Sequence, residues 1–225
     1  MDRQRLSAFI NAFDTDRDPL LTQLELESIS QGIPIIRHEM ISFLQVVLKI
    51  VKPGRILEVG TATGFSALVM AAYSDPSCHI VTIEKDPDRI TAAREHFSGT
   101  DMADRIRLIP GDAQEVLEML ANDPEHTCGY DMVFMDAAKA QYIHFLPLVK
   151  RLMKPGAIMI SDNVLQEGNL LESKYLIPRR DRTIYKRMRD YLYALKHDPA
   201  LITSILPLGD GVALSYLQED SQAIG

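Results

Sequence analysis

The fold follows from residues 55–66, Arg55-Ile56-Leu57-Glu58-Val59-Gly60-Thr61-Ala62-Thr63-Gly64-Phe65-Ser66. The apolar run from Ile56 to Val59 predicts a buried parallel strand, and a loop of small residues comes directly after it. The pattern from Ser66 to Tyr73 then predicts a helix. A strand, a glycine-containing turn and a helix N-terminus in this order form a site where the backbone can approach a ligand closely.

The glycine spacing in this loop argues against a phosphate-binding loop. Gly60 and Gly64 are separated by Thr61, Ala62 and Thr63, with no lysine. A dinucleotide-binding loop has the pattern G-x-G-x-x-G, and a phosphate loop ends in Gly-Lys-Ser/Thr. Glu58, just before the turn, would repel a pyrophosphate. A positively charged ligand without phosphate fits better, and S-adenosylmethionine, with its sulfonium and ammonium groups, is such a ligand.

Composition predicts a soluble globular chain without a membrane span. Of 225 residues, 46% are hydrophobic and 24% charged, and the formal net charge of −7 argues weakly against general polyanion binding. No apolar run approaches the roughly 20 residues of a membrane span, and the N-terminal residues do not resemble a signal peptide. Cys78 and Cys128 form neither a metal-binding spacing nor a disulfide framework, which favours a reducing, cytoplasmic location.

Residues 1–50 are predicted to be helical and to pack on an α/β domain over residues 51–220. Pro34 is expected to separate the second helix from the third. We expect the apolar stripes of these helices to join the core, the alternative being a lid over a pocket. The stripes are Leu6, Phe9, Ile10 and Phe13; Leu20 to Ile29; and Met40, Phe43, Leu44, Val47, Leu48 and Ile50.

From Arg55 onward, strand and helix patterns alternate, which predicts a parallel sheet with helices on both faces. The predicted strands are 55–59, 79–84, 105–109, 131–136 and 156–161. The tail differs, because Ile202–Leu206 and Val212–Leu217 are joined by a connection short enough only for an antiparallel pair. We therefore predict an α/β, Rossmann-like, mostly parallel seven-stranded sheet closed by a terminal antiparallel hairpin, the layout of class I methyltransferases.

Acidic or small residues follow each predicted strand, at the sheet edge where ligands bind in open α/β folds. The first strand ends in Glu58, Val59 and Gly60, and the second ends in Glu84, which can bind both hydroxyls of a ribose. Gly111, Asp112 and Ala113 follow the third strand and could meet a purine edge. The fourth strand ends in Asp136, followed by Ala137, Ala138 and Lys139, and the fifth ends in Ser161, Asp162 and Asn163.

Each of these residues also has a purely structural alternative. Glu84 could favour a helix dipole, Asp112 and Asp136 could be helix N-caps, and Asp162-Asn163 could form a turn. Their joint position at one sheet edge favours a binding site.

Three of these residues predict a metal site. Asp136, Asp162 and Asn163 offer oxygen ligands only, which suits Mg²⁺ or another divalent cation of similar preference. Lys139 is expected in the first turn of a helix over 138–152, where a cation opposes the helix dipole. It is therefore a candidate catalytic residue, the alternative being a lysine that faces solvent.

Residues 174–197 are strongly basic. They contain eight cationic side chains and two acidic ones: Lys174, Arg179, Arg180, Arg182, Lys186, Arg187, Arg189 and Lys196 against Asp181 and Asp190. One interpretation is a solvated helix face, since Tyr185, Met188, Leu192 and Leu195 form an apolar stripe. The other is a phosphate-binding surface for a polyanion whose reactive base enters the pocket.

The motifs from Leu57 to Ser66, Asp136-Ala137-Ala138-Lys139 and Ser161-Asp162-Asn163-Val164-Leu165 resemble the metal-dependent O-methyltransferases of the catechol and caffeoyl-CoA type. Pro178-Arg179-Arg180 and the segment from Pro207 to Ser215 are similar to bacterial tRNA 5-hydroxyuridine methyltransferases. The resemblance implies a homodimer and a metal on Asp136, Asp162 and Asn163. The basic segment predicts the tRNA contacts, at Arg179, Arg180 and Arg182. The resemblance also implies that the methyl donor is bound by Glu58, Gly60, Thr61, Ser66, Glu84, Ala113 and Asp136.

The expected mechanism places Mg²⁺ against two adjacent oxygens of the acceptor, while Lys139 accepts or stabilises the hydroxyl proton and Asp136 assists. Three functions remain open at this point. The first is a tRNA 5-hydroxyuridine methyltransferase, and the second is a small-molecule catechol O-methyltransferase with the same catalytic residues. The third is a non-catalytic nucleotide-binding module, which has no need of the three metal ligands.

Overall fold

A computed structural model describes residues 3–13, 18–30, 32–33, 35–171 and 177–219. Pro34 and Lys174 therefore lie outside the described residues. The helices are α1 Arg3–Asn11, α2 Pro19–Ser30, α3 His38–Val51, α4 Phe65–Tyr73, α5 Pro87–Ser98, α6 Ala113–Ala121, α7 Tyr142–Leu152 and α8 Arg182–His197. Short 3₁₀ turns are Ala103–Arg105, Lys139–Gln141, Gln166–Leu171 and Arg179–Asp181.

The strands form one seven-stranded sheet in the order β3-β2-β1-β4-β5-β7-β6. They are β1 Arg55–Val59, β2 His79–Glu84, β3 Ile106–Pro110, β4 Tyr130–Met135, β5 Met153–Ser161, β6 Leu201–Leu206 and β7 Val212–Leu217. The first five strands are parallel, and β7 runs antiparallel to both β5 and β6. The predicted methyltransferase fold is confirmed.

The register aligns the strand ends that carry the predicted site. Val59 of β1 pairs with Met135 of β4, and Met135 pairs with Ser161 of β5. The chain therefore leaves the sheet at the same level in all three strands, and the following residues share one edge. β2 extends this edge, because its Ile83 pairs with Val59.

Alternation along the strands divides the core between the two faces of the sheet. Leu57 and Val59 of β1 pack with α6, α7 and α8, whereas Ile56 packs with α2, α3 and α4. All three side chains are fully buried. The continuous apolar runs that predicted parallel strands therefore reflect burial on both faces.

Two sequence-based expectations about helices were wrong. The predicted helix over 138–152 is a 3₁₀ turn from Lys139 to Gln141 followed by α7, because Ala138 is extended and the Gln141 amide bonds to the Ala138 carbonyl at 2.8 Å. The α1 stripe does not join the core either. Its Phe9 is 64% exposed and the following Phe13 is 72% exposed.

The other N-terminal helices pack mainly as expected. Leu21 and Leu24 of α2 are buried, as are Met40, Leu44 and Leu48 of α3. The exceptions are Leu26 and Ile29 of α2, at 63% and 60% exposed, and Ile50 near the end of α3, at 75% exposed. Among the described residues, no helix is long and apolar enough to cross a bilayer.

Candidate functional site

A cleft of about 810 Å³ opens at the carboxyl ends of the parallel strands. Its floor comes from the loops after β1, β2, β3, β4 and β5, and its mouth is flanked by residues 35–40 and 208–210. Of the predicted site residues, it is lined by Gly60, Glu84, Ala113, Asp136, Lys139, Asp162 and Asn163. The sheet edge thus brings these seven residues together.

Gly60 allows the β1 loop to touch the end of β4. Its φ is +103°, and a Cβ atom there would lie 2.1 Å from the Asp136 carbonyl oxygen. The Asp136 amide donates to the Val59 carbonyl at 3.0 Å, which continues the pairing of the two strands into the loops. Any side chain at residue 60 would force these two loops apart.

Glu84 is held in a fixed orientation on the wall of the cleft. One carboxylate oxygen accepts from the Ala62 amide at 2.9 Å, and the other accepts from the Lys85 and Asp86 amides at 2.9 and 3.0 Å. The side chain is buried, with 8% exposed. The oxygen that accepts from Ala62 keeps a lone pair for a ligand hydroxyl, whereas the other oxygen already accepts two amide bonds.

Glu58, Thr61 and Ser66 lie beneath the floor of the cleft rather than on its surface. Ser66 donates to the Glu58 carboxylate at 2.5 Å, and Thr82 donates to the other oxygen of the same group. Thr82 also bonds to Thr61 at 2.5 Å between the hydroxyl oxygens. Burial raises the pKa of Glu58 to about 7. In this structure the three residues support the loop, and their contact with a methyl donor stays a prediction.

Gln114, the second residue of α6, is a cleft residue that sequence analysis missed. Asp112 caps α6, accepting from the Gln114 amide at 3.0 Å, as the structural alternative had it. The Gln114 side chain lines the cleft and donates to Glu118 at 2.6 Å. Its Oε1 atom is buried and has no hydrogen-bond partner among the described residues. A buried acceptor without a partner is unfavourable, so this oxygen is suited to an N–H group of a ligand.

The four residues predicted for metal binding and catalysis meet at the ends of β4 and β5. Lys139 Nζ forms an ion pair with Asp136 Oδ1, and Asn163 Nδ2 donates to the same oxygen at 3.3 Å. The backbone N–H of Asn163 donates to Asp162 Oδ1 at 2.7 Å. Lys139 lies in the 3₁₀ turn and points to Asp136 instead of solvent, contrary to the structural alternative.

The charges in this cluster are not balanced, which suits a divalent cation. Asp162 is 6% exposed, and its burial, followed by the charge of Asp136, raises its pKa to about 7. Lys139 is a single positive charge facing two carboxylates, and Asp210 adds a third negative charge nearby. The donor set is two carboxylates and one carboxamide, all with oxygen atoms that Mg²⁺ prefers. The site would have only two acidic ligands, since no group of three or more His, Cys, Asp or Glu suited to a metal occurs in the described part of the chain.

Tyr142, the first residue of α7, holds this cluster from below and was missed by sequence analysis. Its side chain is fully buried. The hydroxyl lies 3.0 Å from the Met135 carbonyl and 3.3 Å from the Asp162 carbonyl, and the Ala137 amide donates to it at 3.3 Å. Lys139 Nζ also donates to it at 3.2 Å. One hydroxyl thus connects both strand ends and the lysine.

We expect Tyr142→Phe to lower kcat about tenfold while the affinity for the methyl donor changes less than about twofold, as is usual when a group that orients a functional side chain is lost. Steady-state kinetics and calorimetric donor titration measure the two effects. The matched control is Tyr130→Phe, which removes a buried hydroxyl that bonds to His126 at 2.6 Å at the opposite end of β4. An unchanged kcat in Tyr142→Phe, or an equal loss in Tyr130→Phe, would contradict this role.

Arg37 and Asp210 form an ion pair across the mouth of the cleft, with 3.1 Å between Nη2 and Oδ2. Arg37 precedes α3 and Asp210 lies in the β6–β7 connection, so the N-terminal and C-terminal parts of the chain meet here. The Arg37 side chain is 55% exposed. Arg37 stands in no motif that the sequence analysis singled out, and only the folded chain brings it to Asp210.

The basic segment begins with the 3₁₀ turn Arg179–Asp181 and continues through α8. Arg179, Arg180 and Arg182 are exposed, as a role in binding requires. The buried side of α8 is close to the prediction, with Tyr191 fully buried and Leu192 only half-buried. The helix packs on the Lys139–Gln141 turn, where Arg187 Nη1 donates to the Ala140 carbonyl at 3.2 Å.

Comparison with known proteins defines the class. The profile of the O-methyltransferase family matches residues 13–217. A catechol O-methyltransferase from Mycobacterium tuberculosis is 29% identical over 168 residues, 74% of each chain. A caffeoyl-CoA O-methyltransferase from Populus kitakamiensis is 30% identical over 174 residues, 76% of this chain and 73% of the relative. An SAH-bound methyltransferase from Podospora anserina has 25% identity and a TM-score of 0.82, covering 96% of this chain and 95% of its own.

The fold and the cleft are those of a class I methyltransferase. The chain belongs to the O-methyltransferase family, of the catechol and caffeoyl-CoA type. The prediction of an S-adenosylmethionine-dependent O-methyltransferase is thereby confirmed at the level of the enzyme class. The alternative of a non-catalytic nucleotide-binding module was wrong.

Proposed function

We propose that this enzyme methylates the 5-hydroxyl of 5-hydroxyuridine at the tRNA wobble position, giving 5-methoxyuridine. The observation that carries the proposal is the attachment of a basic helix to the turn that bears Lys139. In a chain of net charge −7, α8 and the turn before it concentrate arginine beside the cleft. Such a surface suits the phosphates of a nucleic acid whose base enters the cleft. A tRNA substrate would also place the enzyme in the cytoplasm.

S-adenosylmethionine is the methyl donor in this proposal. The SAH-bound Podospora anserina relative supports it, because SAH, S-adenosylhomocysteine, is what S-adenosylmethionine becomes after methyl transfer. Glu84 would bind the ribose hydroxyls and Gln114 Oε1 the adenine amino group. Gly60 and Ala113 would lie against the ligand, and the carboxylates of the cleft would favour its cationic groups.

A divalent cation, Mg²⁺ in our proposal, would be held by Asp136, Asp162 and Asn163. When bound, it would supply a Lewis acid that lowers the pKa of the acceptor hydroxyl. The charge imbalance of the two carboxylates supports this assignment. Lys139 pairs with Asp136, where its ammonium group can stabilise an ionising hydroxyl, and where its neutral amine could instead accept the hydroxyl proton.

The second candidate is a small catechol acceptor, which the name of the Mycobacterium tuberculosis relative favours. It would use the same catalytic residues. The two candidates differ in what they need from the rest of the protein. A catechol fits within the cleft, whereas tRNA requires the basic surface outside it.

We also propose a homodimer, with residues 51–220 as the catalytic domain and residues 1–50 as a helical segment that carries the contact. Phe9, Phe13 and Ile50 are more than half exposed on the described surface of that segment. A contiguous exposed apolar patch often marks a protein interface, and the rings of Phe9 and Phe13 are in contact with their centroids 5.0 Å apart. Burying them against the same surface of a second copy would give a two-fold symmetric dimer.

The proposed function is tested by nucleoside mass spectrometry of tRNA from cells that lack the gene. We expect 5-methoxyuridine to disappear and 5-hydroxyuridine to accumulate. The wild-type gene should restore the modification, and the triple variant Arg179→Glu, Arg180→Glu, Arg182→Glu should not. Its tRNA methylation in vitro should fall on the order of 100-fold, because three phosphate contacts become repulsive.

The matched control reverses three exposed charges on the other face of the sheet, Lys49→Glu, Lys52→Glu and Arg94→Glu. It should restore the modification. Methylation of catechol by the arginine variant should persist, which separates a damaged surface from a damaged active site. Unchanged 5-methoxyuridine in the deletion strain would refute the tRNA proposal and leave the catechol candidate.

A further inference from the structure

A second concave surface, the α7–α8 groove, lies outside the cleft. It has a volume of about 480 Å³ and shares no lining residue with the cleft in the described part of the chain. His144 of α7 lines one side. The polar residues from α8 are Arg182, Thr183, Lys186, Arg187 and Asp190.

The chemistry of this groove suits a phosphate. Three cationic side chains face one carboxylate, and a hydroxyl group from Thr183 is available as a further donor. Arg182 Nε donates to the Ile177 carbonyl at 3.1 Å, and Arg187 uses Nη1 for the Ala140 carbonyl. Each guanidinium therefore keeps several N–H groups for a ligand, while the contact to the backbone fixes its direction.

Lys186 is the third cation of the groove. It is exposed, and no hydrogen bond or ion pair joins it to the described residues. Its position one helical turn from Arg182 places both side chains on the same face of α8. A flexible ammonium group beside two fixed guanidinium groups is a common way to bind phosphate oxygens.

The groove is physically connected to the catalytic turn. Arg187 contacts Ala140, which is adjacent to Lys139, and His144 is in the first turn of α7, directly after the same 3₁₀ turn. The Lys139–Gln141 turn thus separates the cleft from the groove. A chain with its reacting nucleotide in the cleft would pass over this turn and reach the groove with an adjoining phosphate.

We propose that the α7–α8 groove binds a backbone phosphate of the RNA strand whose nucleotide is methylated. This inference rests on the proposed function and adds a binding site to it. The phosphates of coenzyme A are the other source of this chemistry. The basic surface favours RNA because it is longer than one phosphate group, with Arg182 and Arg189 about 10 Å apart along the helix axis and Arg179 and Arg180 exposed beyond them.

The test compares Lys186→Gln with Lys49→Gln, an exposed lysine on a helix of the opposite face. The probe is tRNA from cells that lack the gene, bound to the full-length protein across a series of salt concentrations. For Lys186→Gln we expect about tenfold weaker binding at low salt. The plot of log K against log salt has a negative slope, and its magnitude should decrease by about one, the value for one lost phosphate contact. Lys49→Gln should match the wild type in both.

Three results would overturn the inference. If tRNA binds the wild type and Lys186→Gln retains the full salt slope, the groove does not bind an RNA phosphate, and the proposed function stands. If coenzyme A displaces tRNA or binds alone in a manner that depends on Lys186, while the tRNA slope is unchanged, the groove serves an acyl-CoA acceptor. If the wild type neither binds nor methylates tRNA, the proposed function and this inference fail together.

Discussion

Replacing Asp162 by Asn should lower kcat at least about 100-fold and remove the dependence of activity on Mg²⁺, because a carboxylate ligand is lost from a site that has only two. The substitution keeps the shape of the side chain, so packing is preserved. Wild-type activity should vanish in chelator and return with added Mg²⁺. Full activity of the wild type in chelator would refute the metal site, and so would an active Asp162→Asn.

The same variant gives a second readout without turnover. The pKa values of Glu58 and Asp162 are about 7 in the folded protein, above the ordinary values of 4.5 and 3.8. The folded state therefore binds protons more tightly than the unfolded state, and metal-free stability falls as pH rises from about 4 to about 7. Asp162→Asn should show a smaller fall, since only Glu58 remains. Thermal denaturation in chelator measures it, and added Mg²⁺ should raise the melting temperature of the wild type alone.

Lys139→Met should lower kcat by about 100- to 1000-fold, within the range for loss of a group that assists proton transfer. Its ammonium group contacts Asp136 and Tyr142. Asp136 is also a predicted methyl-donor residue, but the substitution leaves it in place, and Glu84 and Gln114 are not contacted by Lys139. Affinity for S-adenosylmethionine and S-adenosylhomocysteine, measured by calorimetry, should therefore change less than about threefold.

The control for this substitution is Lys150→Met. Lys150 also lies in the 139–152 segment and pairs with an acid, Asp198, but this pair is remote from the cleft. It should leave kcat unchanged. If donor affinity in Lys139→Met falls as far as kcat does, the lysine supports the donor site and has no separate part in the chemistry.

Much of the sheet and its edge could be predicted because parallel strands have a local signature. Each is a short apolar run, and the register of such strands brings the following residues to one level. Asp136 and Asp162 were therefore placed together correctly although they are distant in the chain. The same reasoning put Glu84 on the cleft wall, where its carboxylate is indeed found.

The remaining features depend on tertiary contacts that leave no periodic pattern. Tyr142 reads as one more apolar position of α7, and its hydroxyl acquires a role only where β4 and β5 end beside it. Arg37 forms an ion pair with Asp210, which lies 173 residues later in the sequence. The prediction that the α1 stripe joins the core failed for a different reason. Amphipathic spacing predicts that a helix has an apolar face but not what covers that face.

The close contact at Gly60 has a consequence for changing the substrate. The peptide carbonyl that excludes a methyl group at residue 60 belongs to Asp136, so the loop proposed to bind the donor directly contacts a residue proposed to bind the metal. A substitution at this contact that is meant to change acceptor binding would therefore disturb donor binding as well. Substitutions that change the acceptor should instead occur at the mouth of the cleft, at Arg37 and Asp210, where side chains can be exchanged without separating the Gly60 and Asp136 loops.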